Sequence, residues 1–141
     1  MKARSMILAA VVMAACTQQS SAPADLAGRW DVQQIAGASL GEGVDIWIEI
    51  DPEAGTIAGF TGCRDFTASL SSFGESLAVG ALTQAPGECP SEAAATDEAR
   101  FVTVLPQTQR RIVRGASLEL LQAAPGSEAL LRLRRAEPAG G

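Results

Sequence analysis

Apolar and polar positions alternate along this chain in short runs, not in long stripes. In Val44-Asp45-Ile46-Trp47-Ile48-Glu49-Ile50 an isoleucine or valine returns at every second residue. That period sends one face of a strand into a core and the other outward. Ahead of this run, Leu26-Ala27-Gly28-Arg29-Trp30 with Val32 and Ile35 marks a first strand, and residues 37–43 read as a loop. Asp51-Pro52-Glu53-Ala54-Gly55 supplies turn chemistry, with proline presetting φ and glycine tolerating a positive φ, so Thr56 to Phe60 returns as a hairpin partner. Phe66, Ala68 and Leu70 keep period two, Ser71 to Glu75 turns, and Leu77, Val79 and Ala81 continue the pattern.

The period then changes. Thr83 to Pro90 is a loop, Ser91 is an N-cap candidate, and Glu92, Asp97 and Glu98 suit the early turns of a helix. Ala94, Phe101, Val104 and Leu105 give that helix one apolar stripe, and Pro106 ends it. Arg110 to Val113 and Ser117 to Leu121 read as short strands, Ala124-Pro125-Gly126-Ser127 turns the chain, and Ala129 to Leu133 is the last strand. The expected fold is α+β: a curved, mostly antiparallel β-sheet with a single packed α-helix. At its centre, Gly59-Phe60-Thr61-Gly62-Cys63 places two glycines around an aromatic, which predicts a backbone that bends or is closely approached.

Composition limits what such a domain can do. The 141 residues include four Phe, two Trp, no Tyr and no His, so the core is aliphatic and stacking surfaces are scarce. The formal charge is −5 and becomes −7 without Lys2 and Arg4, which argues against nucleic acid as a partner. Lys2 and Arg4 precede an apolar run from Met6 to Ala15 that ends in small residues, the layout of an export signal over residues 1–15. Met13-Ala14-Ala15-Cys16 resembles the bacterial lipobox, which implies acylation of Cys16, a flexible tether over 16–24, and a protein anchored in the outer membrane and facing the periplasm. The folded domain is expected over 25–135 and a tail over 136–141.

An exported chain with three cysteines leaves one thiol over unless lipid consumes it. With Cys16 acylated, Cys63 and Cys89 are free to pair as a structural disulfide. The rival is a redox or metal pair, which the missing CxxC spacing and missing His disfavour.

Taken together, Leu26-x-Gly28-x-Trp30, Gly59-x-x-Gly62-Cys63, the Thr83 loop ending in Cys89-Pro90, the helix with Glu98 and Phe101 to Leu105, and Leu118-x-Leu120 resemble the META domain of HslJ-like bacterial lipoproteins. The resemblance implies an α+β fold and a link to heat or envelope stress, and implies no catalytic activity. Where such chains usually carry Asn after the central cysteine, this one has Arg64, and the loop before Cys89 is longer by a residue or two. Asn takes left-handed turns readily and Arg does not, so a different local turn is expected.

Few residues of the chain suit catalysis. With no His, and with Lys2 as the only lysine, the usual bases for a serine or cysteine nucleophile are missing. Asp45, Glu49 and Asp65 are the carboxylates on which a small hydrolase would depend, and their strand positions predict a solvated face. No phosphate-cradling or calcium-binding loop is present, so no cofactor is expected. Arg110, Arg111 and Arg114 on one strand, with Arg132 and Arg134 on another, form a candidate patch for an anionic envelope component or protein partner, against a plainer reading as a solvated face balanced by Glu119 and Glu128. The leading expectation is a non-enzymatic binding or stress-protective module on a lipid anchor. The alternatives are a periplasmic inhibitor or protein-interaction module using the Thr83 to Pro90 loop, and a carboxylate-dependent hydrolase.

Overall fold

The computed structural model describes residues 25–124 and 126–137. Cys16, the signal segment, the tether and residues 138–141 lie outside the described residues. The strands are β1 (Gly28–Ile35), β2 (Ala38–Ser39), β3 (Trp47–Asp51), β4 (Thr56–Phe60), β5 (Asp65–Phe73), β6 (Ser76–Val79), β7 (Thr83–Gln84), β8 (Arg110–Arg114), β9 (Ser117–Leu121) and β10 (Ala129–Arg135). One helix, α1 (Glu92–Val104), runs into a 3₁₀ turn at Leu105–Gln107.

The expected curved antiparallel sheet is present, and it curls until its ends meet. Neighbours follow the order β10-β9-β8-β6-β5-β4-β3-β1, and β1 also pairs with β10, which closes eight strands into a barrel. β1 serves both sides: Trp30 to Ile35 face Arg135 to Leu131 on β10, while Gly28 to Asp31 face Ile50 to Trp47 on β3. A register shift between Val32 and Gln34 lets the strand bend around the closure. The thinnest seam joins β6 to β8 through the single residue pair Ser76 and Arg110.

Period-two patterning places the core inside this cylinder, and an eight-stranded barrel is just wide enough for side chains to fill it. Trp30, Ile35, Ile48, Ile57, Leu118, Leu120 and Leu131 are almost fully buried. The run from Val44 to Ile50 orients its side chains as expected, with Ile46, Ile48 and Ile50 buried and Asp45 and Glu49 exposed. Its ladder nevertheless begins only at Trp47. The turn expected over Ser71 to Glu75 is shorter, because β5 continues to Phe73 and pairs it with Ser76.

Each barrel end is shut by a different device. At the C-terminal end of β1, α1 lies across the opening and inserts Phe101, whose ring meets Phe66 edge-on at a centroid distance of 5.6 Å. Ser91 caps the helix by accepting the Ala94 N–H at 3.1 Å, as its position predicts. At the opposite end, Leu26 is fully buried and its carbonyl accepts the Trp30 indole N–H at 3.0 Å. The Arg135 guanidinium stacks over the Trp30 ring at 4.2 Å.

Candidate functional site

The β4–β5 connection is Thr61-Gly62-Cys63-Arg64, and two glycines make it possible. A Cβ on Gly59 would lie 2.1 Å from the Trp47 carbonyl oxygen, so this is a point of close strand approach. Gly62 has φ +98° and is where the chain turns. The left-handed position of the turn therefore falls on Gly62 and not on residue 64. Arg64 needs no positive φ, and the different turn expected from its replacing Asn has no backbone cause here.

Thr61, fully buried, is the hub of this turn. Its Oγ1 accepts the N–H groups of Cys63 at 3.3 Å and Arg64 at 3.2 Å. Its hydroxyl proton is shared between the Arg64 carbonyl and the Glu98 carboxylate, to which it makes a short hydrogen bond. Glu98 projects from α1 and also accepts from Arg64 Nε at 3.1 Å. One helix carboxylate thus holds both ends of a four-residue turn. Next to it, Asp97 is buried and accepts the Gly41 N–H at 2.7 Å, which fastens the loop before β3 to the same helix.

Cys63 and Cys89 sit at disulfide distance, S–S 2.12 Å, and join the turn to the segment leading into α1. Arg64 Nη2 lies 3.8 Å from the Cys89 sulfur and Glu98 Oε1 lies 3.9 Å from it. Cys63, Cys89 and Glu98 place their ligand atoms within 4.8 Å of one another. This donor set does not fit a metal ion, since the sulfurs are bonded to each other and a guanidinium already occupies the carboxylate. The cluster's chemistry is cohesive: each polar group satisfies another, and the turn, the loop and the helix become one unit.

The carboxylates named for a hydrolase do not enter this cluster. Asp45, Glu49 and Asp65 are exposed, the solvated placement their strand positions predict. Thr61 is the residue that sequence reasoning passed over. Its signal was available, because a Thr-Gly pair between two period-two runs is where a hydroxyl takes over backbone hydrogen bonds.

The arginine patch divides. Arg110 and Arg114 lie on the outer face of β8, whereas Arg111 points into the barrel end and is buried, donating to Gly74 O at 2.9 Å and to the Asp25 carboxylate at 3.4 Å. Arg111 therefore leaves the expected ladder for the reason the strand period dictates: odd positions of β8 share the inward face of Leu118 and Leu120. Arg132 and Arg134 are exposed on β10, and Arg132 pairs with Glu119 at 2.7 Å.

Among solved structures, an NMR structure of a protein from Burkholderia xenovorans shares this fold with a TM-score of 0.59 and 19% identity, covering 80% of this chain and 85% of that one. A second NMR structure matches with a TM-score of 0.58 and 14% identity, covering 77% of this chain and 89% of the other. No curated protein matches the chain. The family model of the META domain matches residues 24–137, the whole barrel from the buried Leu26 to the end of β10. With the resemblance drawn from its glycines, cysteines and helix thus matched from end to end, this chain belongs to the META domain family.

Proposed function

We propose that the chain is a lipid-anchored protein of the bacterial envelope, whose barrel serves as a non-enzymatic binding or stress-protective module facing the periplasm. The observation that carries this reading is the Cys63–Cys89 pair at bonding distance. Such pairs persist in oxidising compartments, and this one leaves Cys16, at the end of a lipobox-like segment, as the third cysteine of the chain. The non-enzymatic part is supported by the saturation of the central cluster: Glu98 is engaged by Arg64 and Thr61, and both sulfurs by each other.

Intact mass of the protein taken from membranes, before and after reduction with thiol alkylation, tests it. Acyl mass on Cys16, with two thiols that alkylate only after reduction, supports the reading. A soluble, unacylated mass with free Cys63 and Cys89 refutes it.

A second reading is favoured by one feature. Residues 85–88 are exposed yet held at both ends, by Ala85 N–H donating to Asp65 O at 2.8 Å and by the disulfide at Cys89. A loop ordered in advance loses little entropy on binding, as suits an inhibitor or protein-interaction module. Pull-down from envelope extracts, repeated with this loop's residues replaced by glycine and serine, tests that use.

A further inference from the structure

We propose that the outer wall made by β8, β9 and β10, with the β5–β6 hairpin tip beside it, rests on the anionic phospholipid surface in which Cys16 is anchored. The proposal builds on the lipid-anchored reading and adds the face the protein turns to the membrane.

The wall is written in cross-strand rows. Phe73, Ser76 and Arg110 stand in one row, Ile112, Glu119 and Arg132 in the next, and Arg114, Ser117 and Arg134 in the third. Rows two residues apart are separated by about 7 Å and adjacent strands by about 5 Å, so the outward arginines fall within reach of several neighbouring headgroups. Of Arg110, Arg114, Arg132 and Arg134, only Arg132 has an ion-pair partner among the described residues. This is a local excess of positive charge on a chain whose net charge is −5. A shallow depression of about 190 Å³, lined by Gln33, Ser117, Glu119, Arg132 and Arg134, opens on the wall. Guanidinium groups bind phosphate oxygens in a bidentate fork, and of the two beside this depression Arg132 is held by Glu119 while Arg134 has no ion-pair partner among the described residues.

Two further observations select a membrane over other anionic partners. Phe73 is 79% exposed at the tip of its hairpin and is the one large hydrophobic side chain so exposed among the described residues. It shares a row with Arg110, and an aromatic ring beside cationic groups suits the boundary between headgroups and acyl chains. Asp25, from which the sequence runs back to Cys16, is held here as well: Arg111 bridges Gly74, next to Phe73, to Asp25, and Arg135 donates to the carbonyls of Asp25 and Ala27. Eight residues stand between Cys16 and Asp25, which span at most about 30 Å even when extended. An anchor on that leash keeps the hairpin tip and the arginine wall near the bilayer, while the α1 end of β1 is directed away from it.

The test uses the full acylated chain with Phe73→Trp, reconstituted in vesicles of phosphatidylethanolamine and phosphatidylglycerol that contain lipids brominated near the headgroup. Quenching of the introduced indole is expected on these vesicles. It should fall on phosphatidylcholine vesicles and in the Arg110→Gln, Arg114→Gln, Arg134→Gln variant, whose unchanged melting temperature shows that it folds. Quenching that is absent, or equal with neutral lipid and in the triple variant, overturns the proposal while an acyl mass leaves the anchor standing. If the mass shows no acyl group, the anchored reading fails on its own. The wall is then judged by sedimentation of the same protein with the anionic vesicles: about a hundredfold weaker binding of the triple variant supports it, and no binding overturns it. Protection of the arginines from phenylglyoxal in whole envelopes, without quenching on vesicles, assigns the wall to a protein partner and also overturns the proposal.

Discussion

Replacing Gly59 by alanine puts a methyl carbon 2.1 Å from the Trp47 carbonyl oxygen and 2.9 Å from Cα of Ile48. Both atoms belong to the backbone of β3, which is held against β4 in five consecutive residue pairs from Trp47–Phe60 to Asp51–Thr56. No rotamer relieves that overlap, so the two strands must separate locally and strain their ladder. Gly80 offers the control. A methyl there would lie 2.2 Å from the Ser69 hydroxyl, nearly the same overlap, but the obstacle is the end of an exposed side chain that can rotate away. Overpacking a fixed site costs about 1–3 kcal/mol, and the lower unfolded-state entropy of alanine returns about 0.5 kcal/mol. Gly59→Ala is therefore expected to destabilise the domain by about 2 kcal/mol, toward the upper end of that net range because the obstacle is backbone, and Gly80→Ala by less than about 0.5 kcal/mol. In thermal unfolding with the disulfide intact, the first loses roughly 10 °C and the second stays near the parent. Urea titration should show the same difference as a lower midpoint with an unchanged slope. If the two variants lose equal stability, or if Gly59→Ala melts with the parent, the argument from backbone proximity is wrong.

Three other perturbations address the staple, the hub and the plug. Cys63→Ser with Cys89→Ser opens a closed loop of 26 residues, and the entropic model expects a loss of about 3.5 kcal/mol, read as a lower urea midpoint that reduction of the parent reproduces. Thr61→Val leaves the Cys63 and Arg64 N–H groups without their acceptor and should cost about 1–3 kcal/mol, whereas Thr61→Ser should recover most of it; equal loss in both would point to packing instead of the hydroxyl. Leu26→Ala empties the seat at the barrel end opposite α1 and should cost about 3 kcal/mol by denaturant titration, a loss that a freely fraying terminus would not show.

Much of this architecture is local, and local features are what a sequence displays. Period two gives the facing of Ile46, Ile48 and Ile50, and Ser91 before an acidic turn gives the helix start. The paired glycines at 59 and 62 announce close approach and a bend, and the two occur at those two residues respectively. Closure is different in kind. It depends on β1 and β10, more than ninety residues apart, meeting edge to edge, and an open curved sheet would show the same alternation on every strand. The site was legible in the same proportion. Cys63 and Cys89 stand out by type and the Thr-Gly pair marks the local turn bonds of Thr61, but its contact with a helix residue 37 positions away is one that no spacing rule encodes. Arg111 shows how a sound local rule can be applied too loosely. Its neighbours Arg110 and Ile112 alternate with it, so period two places it inward, and grouping it by charge with Arg110 and Arg114 set that period aside.

Closure also bears on where function can reside. An open sheet covered by one helix leaves a face or a cleft on which chemistry could be built. A barrel of eight strands directs every inward position to its axis, and here Trp30, Ile48, Phe66, Leu118 and Leu131 occupy those positions. The two ends are occupied as well, by Phe101 on one side and by Leu26 on the other. What varies without disturbing this core is the outer surface and the turns, where Arg110, Arg114, Arg132 and Arg134, the exposed Phe73 and the loop before Cys89 all lie. The two ends of β1 divide these features. Asp25 and the hairpin tip, bridged by Arg111, gather near Gly28, while the disulfide, Arg64 and the exposed segment 85–88 gather near Ile35 under α1. A membrane at the first end leaves the second free for a periplasmic partner, so the two proposed uses of the surface require no residue in common.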